Sequence, residues 1–80
     1  MSSFRAERLI GLTRAIEEHP NEVVNYVVRG ELYLDMGEPE RAAEDFQRAL
    51  MLADAQFETQ RWGFVTQTLR DRAQAGLWKI

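Results

Sequence analysis

The chain has 80 residues, 45% of them hydrophobic, with two Pro, no Cys and a net charge of −3. That length predicts one domain, 1–80, with a small core; without Cys, disulfides and thiolate metal sites are excluded and helix packing must supply the stability. The mild acidity argues against a nucleic-acid partner, which wants a basic stripe with exposed aromatics, and no apolar run approaches the roughly 20 residues of a membrane span. Met1-Ser2-Ser3-Phe4-Arg5 leads into an amphipathic pattern and lacks the apolar stretch of a signal peptide, so a cytoplasmic location is expected.

The charge is unevenly placed. Between Ala15 and Asp54 there are ten acids against Arg29, Arg41 and Arg48, whereas Arg5, Arg8 and Arg14 precede this stretch and Arg61, Arg70, Arg72 and Lys79 follow it. Basic end helices lying beside an acidic middle one, within one chain or between copies, account for the pattern.

Residues 4–19 read as the first helix, with Leu9, Leu12 and Ile16 on one face and Ala6, Ile10 and Ala15 widening it. Ser2 and Ser3 are candidate caps, and Pro20 ends the helix because it disfavours the helical conformation of the residue before it. A second helix spans 22–36, capped by Asn21. Val23, Val24, Tyr26, Val27, Val28, Leu32, Tyr33, Leu34 and Met36 leave it almost no polar face, so it needs neighbours on more than one side. Gly30 in mid-helix costs about 1 kcal/mol relative to Ala, and close approach of another helix is the expected compensation.

Gly37 is expected to take a positive φ at the end of this helix, and Pro39 opens the third, which runs to about residue 53. Ala42, Phe46, Ala49 and Leu50 form its inner face; Glu44 and Arg48 are spaced for an i, i+4 pair. The break after it is weakly marked, since Ala53-Asp54-Ala55-Gln56 contains no Pro or Gly. A fourth helix, 56–75, carries Trp62, Val65, Leu69 and Ala73 on one stripe with Phe57 and Phe64 beside it. Gly76 ends it, and Leu77-Trp78-Lys79-Ile80 follows as a short apolar tail. The expected core is Leu9, Leu12, Ile16, Tyr26, Gly30, Tyr33, Ala42, Phe46, Ala49, Leu50, Val65 and Leu69.

The order Tyr26-x-x-Arg29-Gly30-x-x-Tyr33, then Gly37, then Ala42-x-x-x-Phe46-x-x-Ala49-Leu50 resembles a tetratricopeptide repeat (TPR), a thirty-four-residue helix pair with small and aromatic residues at fixed contact positions. Sliding the motif back by thirty-four positions places Ala49 on Ala15, Leu50 on Ile16, Phe46 on Leu12 and Asp54 on Pro20, where the family's closing Pro reappears; Ala42 falls on Arg8. Sliding it forward fails, since Gly30 maps to Phe64 and Tyr33 to Gln67. The resemblance therefore implies an all-α antiparallel helix-turn-helix array: a half-repeat helix at 4–19, a full repeat at 22–53 and a capping helix at 56–75.

No constellation of catalytic residues is legible. His19 is the lone His, at a helix end beside Pro20; Glu17 and Glu18 diverge on the helix; no glycine-rich phosphate loop is present; and Glu38, Glu40, Glu44 and Asp45 lack the spacing of a calcium loop. The expectation is a non-enzyme with no cofactor and no metal. What the resemblance implies instead is a protein–protein interaction module whose first helices line a groove for a peptide or helix of a partner. Its groove positions here are Val24, Val27, Glu31, Leu34 and Asp35, an apolar surface with acidic spots suited to a segment bearing Arg or Lys. The Lys, Arg and Asn with which some family members clamp a terminal carboxylate are absent. A second reading stands beside it: one full repeat is short for this architecture, and a homodimer formed through the apolar face would supply further layers.

Overall fold

The computed structural model describes residues 3–57 and 63–80. Four helices follow one another, α1 (Ser3–Glu18), α2 (Val23–Asp35), α3 (Pro39–Phe57) and α4 (Gly63–Trp78), in an all-α array of antiparallel hairpins. α1 packs on α2, α2 on α3, and α4 lies along α3 while also touching α2. The third helix, expected to end near residue 53, runs on to Phe57, so residues 56–57 extend α3 instead of opening the fourth helix, and α4 is described from Gly63; the expectations for Ser2, Trp62 and residues 58–62, and for the side chains of Ser3 and Phe57, lie outside the described residues.

The turns form for local reasons. Pro20 interrupts the first hairpin, where the His19 amide donates to Ala15 (2.8 Å) and the Glu22 amide to His19 (3.2 Å). The Tyr26 hydroxyl then donates to the Pro20 carbonyl at 2.8 Å, and Gln56, near the end of α3, donates to the Asn21 carbonyl at 2.8 Å. Asn21 is not the cap expected of it: Glu22 holds that position, with no side-chain hydrogen bond to the helix. Between α2 and α3, Gly37 has φ +74°. Its amide donates to Leu34 (3.1 Å) and the Glu38 amide to Tyr33 (2.8 Å), the paired closure that a left-handed residue after a helix permits.

Phe46 is the centre of packing. It is fully buried on α3, with Gly30 of α2 and Gly76 of α4 against its ring. A Cβ at Gly30 would stand 2.7 Å from the ring, and one at Gly76 would stand closer still. Both glycines are therefore helix-contact residues, and the reading of Gly76 as the end of the fourth helix is corrected: α4 runs through it to Trp78. The core cluster joins Ile16, Val23, Tyr26, Val27, Tyr33, Ala42, Phe46, Ala49, Ala53 and Ala73, with Leu9, Leu50 and Leu69 half-buried against it.

Val65, expected in the core, is exposed, and Thr66 is buried in its place. The buried stripe of α4 is Thr66, Leu69, Ala73 and Gly76, flanked by Leu77, rotated from the one read through Val65. The expected Glu44–Arg48 pair is not formed; among the described residues of α3, Arg41 instead reaches Glu38 at 3.9 Å. No described helix is long and apolar enough to cross a membrane.

Candidate functional site

The five residues expected to line a groove share α2 but not one surface. Val27 is fully buried in the core cluster, so no partner can touch it in this packing. Leu34 is half-buried against the same cluster. Glu31 accepts from both Nε and Nη2 of Arg72 on α4. Asp35 is exposed at the far end of α2, where its carbonyl accepts from Arg5 of α1 at 3.4 Å. Val24 alone of the apolar three stays open, at 39% exposure. α4 lies on the middle of the expected groove, as the Arg72–Glu31 pair shows.

What remains open lies nearer the N-terminus of α2. Glu22, Val23, Val24, Gln56, Val65, Thr66 and Leu69 line an open cleft of about 450 Å³ between that end of α2, the end of α3 and the first turns of α4. Its walls are apolar where Val24 and Val65 reach solvent, and Glu22, Gln56 and Thr66 are its polar residues. A second cleft of about 350 Å³ runs between α1 and α2, lined by Leu9, Ile10, Thr13, Arg14, Glu17 and Tyr33. Sequence reasoning missed Val65 and Leu69 as cleft walls because the motif gives no register for α4. The adjacency of Val23 to Val24 was the one signal for the other wall.

The strongest polar feature is structural. Arg29 donates to both carboxylate oxygens of Asp45, at 2.8 and 2.7 Å, and from Nη1 to the Thr13 hydroxyl at 3.3 Å. Its guanidinium also stands 5.7 Å from the centre of the Tyr33 ring. Three helices meet at this one side chain. The hydrogen bonds to Asp45 hold the Arg29 guanidinium above its ordinary pKa against the opposing effect of burial. A raised pKa contributes stability that is lost only as pH climbs through the folded value, so this pair is fully formed across the neutral range. Arg72 is raised in the same direction by its hydrogen bonds to Glu31, and Arg70 by Asp54, 2.8 Å away.

Among the described residues no group of three or more His, Asp or Glu is placed to hold a metal ion. His19 is exposed at the end of α1, next to the Pro20 turn. The chain matches no family model, no curated protein and no solved structure.

Proposed function

We propose that the protein is a non-catalytic interaction module of the tetratricopeptide type, which takes an apolar segment of a protein partner into the cleft between α2 and α4. The observation that carries this reading is the open cleft of about 450 Å³ whose Val24 and Val65 walls face solvent. The repeat-like spacing from Tyr26 to Leu50 supports it, as does the Glu22 carboxylate at the edge, which suits a Lys or Arg on the incoming segment. The partner surface is thus smaller than the five-residue groove implied by the motif: Val24 belongs to it, Val27 does not, and Glu31 is engaged by Arg72.

The test is a panel of short peptides combining two or three apolar residues with Lys or Arg, titrated into isotopically labelled protein. Binding should shift the amide and methyl signals of Val23, Val24, Val65 and Leu69, and Val24→Asp with Val65→Asp should abolish those shifts while helicity is retained. Peptides that bind the double variant as well as the wild type would remove the cleft from the proposal.

A further inference from the structure

The large hydrophobic side chains left in water are concentrated at the two ends of the array. Of the eight among the described residues, Phe4 and Ile10 belong to α1, Phe64, Val65 and Trp78 to α4, and Ile80 follows α4. Among the described side chains, Val24 and Met51 are those on the central pair. Phe64 is 85% and Trp78 79% exposed, and together they present roughly 300 Å² of aromatic surface.

The neighbours of each helix show what these faces lack. α3 is packed on both sides, by α2 and by α4, and its Ala42, Asp45 and Ala49 face is buried toward α2, where Arg29 holds Asp45. By the thirty-four-residue slide, α1 is the counterpart of α3, and that face corresponds to Arg8, Gly11 and Ala15. On α1 the first two of these positions are open, since Arg8 and Gly11 are exposed and a Cβ at Gly11 would meet nothing within 4 Å, and Ala15 is half-buried at the edge of the face. α4 is the reverse case. It lies beside α3 as α2 lies beside α1, but among the described helices nothing covers its other side, where Phe64, Thr68, Asp71, Ala75 and Trp78 form one exposed stripe opposite the buried one.

We propose that α4 of one molecule docks antiparallel on the Phe4, Arg8, Gly11 and Ala15 face of α1 of a second copy, so that molecules add head to tail. The stripes match in length and chemistry. Run antiparallel, Trp78 meets Phe4 at one end while the small Thr68 side chain passes over Gly11 and Ala15, where helices approach closely. Asp71 then falls within one helical turn of Arg8, an opposite charge on the opposing face. The neighbouring Arg70 and Arg72 form their ion pairs with Asp54 and Glu31, while Asp71 accepts from Gln67 at 2.8 Å and keeps its other carboxylate oxygen toward solvent on the exposed stripe. The α2–α4 cleft takes no part in this contact, so the inference stands apart from the proposed function. Because the two faces differ, the contact does not close on itself and the assembly grows past a dimer. A single helix-on-helix contact is smaller than the roughly 800 Å² per partner of a standard interface, so growth is reversible and depends on concentration.

Sedimentation of the 80-residue chain from about 10 µM to about 1 mM tests this. The weight-average mass should rise with concentration without levelling at two copies. Gly11→Gln blocks the α1 face and Ala75→Arg the α4 face; both are exposed positions given residues of good helix propensity, and circular dichroism verifies their folds. Each variant alone should sediment as a monomer. An equimolar mixture should form a complex of two chains that grows no further, because one intact interface remains between unlike variants. A wild type that stays monomeric throughout would overturn the proposal, leaving the α1 face to another segment or protein. So would a dimer that persists in both variants, or a mixture that stays monomeric.

Discussion

Replacing Gly76 by Ala makes a sharp test of the packing, because the same change elsewhere in the chain should act with the opposite sign. An Ala in a helix interior is favoured over Gly by about 1 kcal/mol. At Gly76 the new methyl would press into the ring of Phe46, which is fully buried and also packs against Gly30, so the ring has little room to move. Overpacking of this kind costs about 1–3 kcal/mol, which cancels the helix gain and leaves a net loss of up to about 2 kcal/mol. Gly11 also lies in mid-helix, yet has open space around it, so Gly11→Ala should collect most of the helix gain. The two variants should then differ by about 1–3 kcal/mol, a gap in Tm of roughly 5–20 °C for a domain of this size. Thermal and urea melts followed at 222 nm, on dilute protein so that association does not contribute, measure both. If Gly76→Ala is stabilised as much as Gly11→Ala, the ring of Phe46 does not lie on Gly76 and the placement of α4 along α3 is wrong.

Further changes separate buried from exposed interactions. Arg29→Met leaves the Asp45 carboxylate, 4% exposed, without its cation and should cost about 3–5 kcal/mol in a urea melt, whereas Arg29→Met with Asp45→Leu should recover most of that loss. Arg72→Ala removes a pair that is nearly half exposed on both sides and should change stability by less than about 1 kcal/mol. Phe46→Ala empties the contact between three helices and should cost about 3–5 kcal/mol by the same urea melt. Gly37→Ala forces a side chain onto a positive φ and should cost on the order of 1 kcal/mol by the same melt.

The central hairpin was legible because its residues admit one reading at several levels. Gly37 and Pro39 punctuate the turn, the apolar positions of α3 repeat at helical spacing, and the mid-helix Gly30 is compensated by a ring at the spacing where the motif puts one. α1 was legible in extent for the same reason, with Pro20 as its stop. α4 was not, since its inner positions are Thr66, Ala73 and Gly76, residues that carry little hydrophobic signal. Val65 outweighed Thr66 in any reading by apolarity, although only the rotation through Thr66 lets Gly76 meet Phe46. The glycine that sequence rules assign to a helix end was instead selected by the volume of a ring thirty residues earlier. No local pattern contains that information.

The same gap explains the candidate site. A surface on α2 is defined by what does not cover it, and the helix that covers it is the one whose register the sequence left open. Once α4 sits with Ala73 and Gly76 inward, Arg72 falls beside Glu31, while Val27 lies fully buried in the core cluster. The exposed end of α2 at Val24 is then left facing Val65, which the same rotation turned outward. The misread Val65 and the narrowing of the expected groove by Arg72 therefore have one cause, the register of α4. The Gly76 and Val65 experiments bear on it from opposite sides: if Ala is accommodated at Gly76, α4 does not sit on the Phe46 ring and the cover it gives Glu31 falls with that placement. If Ala is rejected, the rotation is fixed by the Phe46 ring, and any partner on this side of the molecule must be read by Val24, Val65 and Leu69.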